Sequence, residues 1–259
     1  MSHDPLTTST KIAIGILAAL TAIIVTLALI LTLGRGRTVP PPSVIASVTV
    51  PVSTGSVSTG STGDTPTSPV STSSTNEDVP KADPLTIGIP VLGVQANIHL
   101  YTEAMAQASK DPLTSQPCWA DGRITCVNPP SYKDVYWLKA GVGQIPFGDQ
   151  PGTNTTGTVY LIGHASATKP AIFTNLYKLT TGNDITVTTA NGALHYAVQQ
   201  VVVLDKNDWS TSTYANEQIP GRLILGTCYH GADAHIGSSG SSKENVIIVA
   251  QLSSAEAAG

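Results

Sequence analysis

Arg222-Leu-Ile-Leu-Gly-Thr-Cys228 and Thr158-Val-Tyr-Leu-Ile-Gly-His164 are two apolar runs, each ending in a chemically active side chain. Each is too short for a helix and rich in residues that suit a buried strand, so each reads as a strand emerging from a core into a loop. Runs of the same texture recur at 85–89, 94–101, 184–189, 195–204 and 245–252. Asn191-Gly192 between two of them is a hairpin signal, because both residues tolerate positive φ. Only 170–179 reads as a short helix, closed near Gly182. Seven or eight short strands with one or two helices over 85–254 predict one mainly β domain, a barrel or a sandwich.

The two strand ends gain meaning from the rest of the cysteine and histidine inventory. The chain has three cysteines, Cys118, Cys126 and Cys228. Cys118 and Cys126 lie eight positions apart in a Pro/Gly-containing stretch and can close a small disulfide loop outside the cell. The alternative is two unpaired surface thiols, exposed to oxidation. Cys228 is then the odd thiol. Either it is one more buried structural cysteine or it is a nucleophile. Of the six histidines, His3 precedes the long apolar segment, His99 and His195 fall within strands, and His230 and His235 follow Cys228 in a Gly/Ser-rich loop. His164 alone ends an apolar strand. If its strand neighbours that of Cys228, imidazole and thiol meet, and a nearby imidazolium favours the nucleophilic thiolate.

Outward from the domain, composition is uneven. Residues 12–33 are 22 consecutive uncharged residues, flanked by Lys11 on one side and Arg35 and Arg37 on the other. As a helix they would rise about 33 Å, enough for a bilayer core. A cleaved signal peptide has a shorter apolar region and a small-residue cleavage site, so 12–33 is read as a transmembrane anchor behind a tail at 1–11, its orientation left open by the flanking charges. Residues 34–84 form a linker. Within it, 29 of the 43 residues at 38–80 are Ser, Thr, Pro or Gly, too little apolar surface to offset the entropy of ordering, so disorder is expected. As a coil that stretch reaches roughly 35–40 Å.

Bulk chemistry excludes other classes. Charged residues are 12% of the 259, the net charge is −4 and aromatics are 5%. That leaves neither the clustered cations that phosphate binding needs nor stacking platforms for single strands, so no nucleic-acid partner is expected. No phosphate-binding G-x-x-x-x-G-K-[ST] loop and no zinc spacing is present.

The residues now at hand resemble the sortase family of cysteine transpeptidases. Leu225-Gly226-Thr227-Cys228 resembles the family's L-x-T-C strand end, and Ile162-Gly163-His164-Ala165 its G-H segment. His precedes Cys by 64 positions (228 − 164). The opening L-T-I-G-I-P-V-L-G-V at 85–94 and the segment at 170–179 are also similar, the latter to actinobacterial class E and F sortases. The likeness covers most of 85–252, and the anchor and linker suit the family's layout. It implies a closed eight-stranded barrel, no cofactor and no metal. It also implies two-step transfer, in which Cys228 attacks an LPxTG-like sorting signal and His164 serves as acid and base. The partners implied are surface proteins or pilins bearing sorting signals, an acceptor amine of a peptidoglycan precursor or pilin, and the membrane. The catalytic domain at 85–254 then lies outside a single-pass anchor.

One family feature is missing. Sortases carry an arginine near the start of the last strand, over the substrate backbone and the developing oxyanion, and no arginine follows Cys228. Aligned with R-D-N-V-V-V, Lys243-Glu244-Asn245-Val246 places Lys243 in that role; aligned backwards from the apolar strand, Asn245 takes it. Lys is one compact charge where Arg is a planar fork of donors. Thr227 beside the nucleophile, and Trp209 and Tyr214 in the loop at 205–220, are candidate substrate contacts; the alternative is that the two aromatics only cover the barrel. The departure keeps a second reading open, a sortase-fold domain that binds sorting-signal peptides without efficient turnover. Papain-like and NlpC-like enzymes place Cys before His, and L,D-transpeptidases use S-H-G-C, so neither pattern fits. An adhesin with an incidental cysteine would make the His/Cys order a coincidence.

Overall fold

A computed structural model describes residues 77–259. Eight strands close into a barrel in the order β1 (Pro84–Ile89), β2 (Val94–Leu100), β5 (Val135–Leu138), β6 (Thr158–Ile162), β9 (Arg222–Cys228), β10 (Glu244–Ala257), β8 (Gly192–Asp205) and β7 (Asp184–Thr189), with β7 returning to β1. The remaining pair, β3 (Trp119–Ala120) and β4 (Arg123–Ile124), forms a separate small ribbon. Two barrel contacts are parallel, β2 with β5 and β6 with β9; the others are antiparallel.

Strand alternation sorts side chains into two layers. Ile87, Ile98, Trp137, Leu161, Val187, Tyr196, Leu225 and Ile248 belong to one buried cluster that draws on all eight barrel strands and so fills the lumen. A second cluster covers the outer face of five adjacent strands. There Tyr136, Tyr160, Ile224 and Ile247 pack beneath Tyr101, Ala106 and Ile145, with Phe147, Trp209 and Tyr214 at its edge. The outer layer comes from loops and two short helices, α1 (Glu103–Gln107) and α2 (Thr213–Asn216). Thr102 caps α1 by accepting from Met105 N, and Ser212 caps α2 by accepting from Ala215 N.

All seven strands read from the sequence are present. β5 was not legible, being four apolar residues between loops. The expected helix at 170–179 is replaced by turns and one 3-10 turn, Leu176–Lys178. Its backbone donors are taken elsewhere: Ile172 N bonds to Tyr132 O at 2.8 Å and Phe173 N to His164 O at 2.9 Å. The β7–β8 hairpin turns one residue earlier than Asn191-Gly192 suggested. Thr189 pairs with Gly192, leaving Ala190 and Asn191 in the loop, and only Gly192 takes positive φ (146°). Packing also begins ahead of residue 85. Val79 is fully buried in the lumen cluster, and Glu77 N bonds to Ala255 O. The anchor at 12–33 and the linker up to 76 lie outside the described residues, among which no helix is long and apolar enough to cross a membrane.

Candidate active site

Strands β6 and β9 run parallel with Thr158 beside Arg222 and Ile162 beside Gly226. That offset is 64 at both ends (222 − 158 and 226 − 162), and Gly163 N extends the ladder by donating to Gly226 O at 3.2 Å. Continued two residues past the last pair, the same offset leads to His164 and Cys228. Leu223 and Leu225 point into the lumen and Ile224 into the outer cluster, so alternation turns Cys228 outward and Thr227 inward. Both Cys228 and His164 are half-buried. Cys228 is the free cysteine, and Cys118 and Cys126 form a disulfide with Cα atoms 4.6 Å apart.

Glycine makes the approach possible. A Cβ on Gly163 would stand 2.7 Å from Phe173 Cδ2 and 2.9 Å from Ile172 Cγ2. A Cβ on Gly226 would stand 2.8 Å from Ile162 Cδ1. Gly163, one residue before His164, and Gly226, two residues before Cys228, therefore lie against packed side chains with no room for a substituent.

The segment following the disulfide holds the imidazole. His164 Nε2 lies 2.7 Å from Pro129 O, and its ring stacks on Tyr132 at 4.2 Å between centroids, tilted by 15°. Lys169 Nζ lies over the far ring, 5.3 Å from the Tyr132 centroid. Burial holds the His164 imidazole below the ordinary histidine range, against the opposing pull of the Pro129 carbonyl. His230 is also held low, first by burial and then by the charge of Lys206.

A thiol and an imidazole at the ends of adjacent parallel strands, opening on the outside of a closed barrel, can carry nucleophilic acyl transfer without a metal. No group of three or more His, Cys, Asp or Glu able to hold one occurs among the described residues. A family model for the sortase domain matches residues 87–253.

The chain belongs to the sortase family.

Sortases are cysteine transpeptidases, and this one shares the family's barrel. Among solved structures it is similar to sortase C-1 from Actinomyces oris, at TM-score 0.43 and 18% identity over 66% of this chain and 75% of that one. It is similar to Listeria monocytogenes sortase A, at 0.43 and 14% over 70% and 92%. It is also similar to sortase C1 from Streptococcus suis, at 0.43 and 16% over 66% and 74%. No curated protein matches the sequence.

The remaining candidates of this sortase are dispersed. Asn245 pairs directly with Cys228 across β10 and β9 and therefore shares its outer face. Lys243 precedes β10 and is exposed, and its ammonium makes no hydrogen bond among the described residues. Its backbone carbonyl accepts from Lys206 N at 3.0 Å. Thr227 is buried on the lumen side, and its hydroxyl has no partner among the described residues. Trp209 meets Tyr160 edge-on at 6.4 Å and lines an open depression of about 270 Å³ with Pro146, Phe147, Ala215 and Gln218. Tyr214 packs on the same outer cluster and its hydroxyl donates to Gln200 Oε1 at 3.4 Å, away from that depression's lining. Arg222 is occupied at the far end of β9. Its Nε donates to Thr158 Oγ1 at 3.1 Å and its Nη2 to Glu217 O.

Lys206 was not legible as a site residue. Its Nζ donates to Cys228 Sγ at 3.4 Å. The usable signal was its alternation with Val202 and Leu204, which places it on their face; only the strand order shows that this face holds the thiol.

Proposed function

We propose that the chain is a membrane-anchored, extracytoplasmic sortase that cleaves an LPxTG-like sorting signal and passes the acyl group to an amine of a peptidoglycan precursor or a pilin. The observation that carries this is the register of the parallel strands β6 and β9, which sets Ile162 beside Gly226, each two residues short of His164 and Cys228. In the first step Cys228 passes its thiol proton to His164 as its sulfur bonds to the Thr carbonyl carbon and the carbonyl electrons move to oxygen. When the carbon–oxygen double bond re-forms, the Thr–Gly C–N bond breaks and the departing nitrogen takes a proton from His164. In the second step His164 takes a proton from the incoming amine, whose nitrogen displaces Cys228 from the thioester.

The groove supports a peptide of this length. From Cys228 and His164, four residues back along β9 and β6 lead to Ile224 and Tyr160, about 13 Å away at ~3.3 Å per residue. The three residue steps from Thr to Leu of an extended LPxT span about 10 Å on the same rise. The Trp209 depression lies at that end of the groove and offers Phe147 and Pro146 to the peptide's apolar residues. Incubation with an LPxTG-type peptide and an amine acceptor tests the reading, the expected product being the LPxT–acceptor conjugate in the parent and none in Cys228→Ala. One observation favours a second reading, peptide binding without efficient turnover: no arginine follows Cys228, and Arg222 is bound to Thr158 and Glu217. Binding of the peptide with no acyl-enzyme would select it.

A further inference from the structure

We propose that Lys206 is a catalytic residue of this sortase, its ammonium donating to the Cys228 sulfur in the resting enzyme and to the substrate oxyanion during acyl transfer. The inference rests on Cys228 being the nucleophile. Lys206 Nζ stands 3.4 Å from Cys228 Sγ, and no carboxylate forms an ion pair with it among the described residues. Its main chain is fixed from both sides. Asp205 pairs with Glu244 at the end of the β8–β10 ladder, and Lys206 N donates to Lys243 O at 3.0 Å. Beyond it, Asp205 Oδ1 accepts from Asn207 N at 2.8 Å and caps the 3-10 turn Lys206–Thr211. The side chain thus leaves a braced backbone over the strand that ends in the thiol.

The surrounding groups leave this role to a lysine. Lys243 makes no contact with the thiol, Glu244 is engaged with His235 through Oε1 at 2.9 Å from Nδ1, and Asn245 opposite Cys228 carries no charge. Lys206 is the one charged side chain hydrogen-bonded to Cys228 among the described residues. When the sulfur bonds to the substrate carbonyl carbon, negative charge passes from sulfur to an oxygen two bonds away. An ammonium within reach of the first is within reach of the second, and it donates without giving up its proton. Lysine, a point charge on a flexible stem, can follow that transfer.

Full-length protein in detergent, kept unreduced so that Cys228 is the reactive thiol, supplies two readouts: iodoacetamide alkylation at pH 7, and thioacyl formation with an LPxTG-type peptide. Lys206→Met should slow alkylation by about 10-fold or more, as expected for loss of a hydrogen bond to a charged group. Thioacyl formation should fall by about 10²–10³, the range for one lost oxyanion donor. Lys206→Arg should restore much of both, and Lys243→Ala should lose less than Lys206→Met in each. If Lys206→Met were folded and within twofold of the parent in both assays, the proposal would be overturned, with the sortase reading intact. If Lys206→Met failed to fold, Lys206→Arg and Lys206→Gln decide, since a gap between them tracks the charge and equality overturns the proposal. Lys206-dependent alkylation in a parent that forms no thioacyl enzyme would uphold the cation–thiol pairing and sink the peptide reading instead.

Discussion

Ile162 lies beside Gly226, and each residue of β6 sits beside the residue 64 positions later on β9, the spacing that also separates His164 from Cys228. The spacing of two motifs in the chain and the register of two strands in the barrel are the same number. A parallel pair without an intervening bulge keeps side chains of equal register on one face. The thiol and the imidazole therefore share the outer surface, above the groove floor formed by Tyr160, Ile162, Ile224 and Gly226.

Removing either member should be severe and unequal. Cys228→Ala is expected to abolish peptide cleavage. His164→Ala should lower it by about 10²–10⁴, the usual share of acid/base catalysis. His230 follows Cys228 closely in sequence, but nothing in strand register sets it beside the thiol, so His230→Ala should retain most activity. Rates for the three variants with one peptide check this; a larger loss in His230→Ala than in His164→Ala would assign the proton transfers to His230.

Burial of the two histidines predicts how stability depends on pH. His164 and His230 are held below their ordinary value of 6.5 in the folded protein. Between the depressed values and 6.5, the unfolded chain binds more protons than the folded one, so stability must fall as pH drops through that window. Above it the penalty is absent. Asp149 and Glu244 are shifted down from ordinary values of 3.8 and 4.5, and their stabilisation is lost only at lower pH. Thermal melts at pH 7.5, 6.5 and 5.5 should show a declining Tm, with a shallower decline in His164→Asn. A flat profile for the parent would contradict the burial of both imidazoles.

The Cys118–Cys126 disulfide braces the chain just ahead of Pro129 and Tyr132, the two residues that grip His164. Closing so short a loop contributes about 2–3 kcal/mol in the chain-entropy account. The double variant Cys118→Ser with Cys126→Ser should therefore melt several degrees lower, at roughly 2–4 °C per kcal/mol for a domain of this size. Its turnover should also drop as His164 loses its support. Peptide mapping of unreduced protein should find Cys228 free; a bridge from Cys228 to either partner would break the assignment of the nucleophile.

Thr227 carries a buried hydroxyl with no partner, facing the lumen beside Val246. An unsatisfied buried hydroxyl costs about 1–3 kcal/mol, so Thr227→Val should raise Tm by a few degrees. A lower Tm would mean that the hydroxyl has a partner in solution. Comparing turnover of the stabilised variant with the parent shows whether the hydroxyl serves catalysis.

The barrel was legible because alternation and apolar runs mark strands that face one lumen, and the motif pair marked the two strand ends that make the candidate site. Strand order was not legible. Nothing local says that β6 lies parallel to β9, that the four residues of β5 join them to β2, or that β8 lies beside β10. For that reason Lys206, at the end of β8, stayed hidden while Lys243, two residues from the visible strand at 245–252, drew attention. The segment at 170–179 misled for a related reason: its amides bond to Tyr132 and His164, distant in sequence, in place of the carbonyls four residues back. Thr227 was read as a groove residue from its place beside Cys228, yet adjacent residues of a strand face opposite ways.

The central claim is that Cys228 forms a thioester with the sorting signal. Full-length protein mixed with an LPxTG-type peptide, without acceptor amine, and acid-quenched should show by intact mass the added LPxT acyl group. Proteolytic mapping should place it on Cys228, and hydroxylamine should release it. Cys228→Ala should show no adduct. Peptide cleavage by the parent with no acyl-enzyme, or an adduct that persists in Cys228→Ala, would contradict the account.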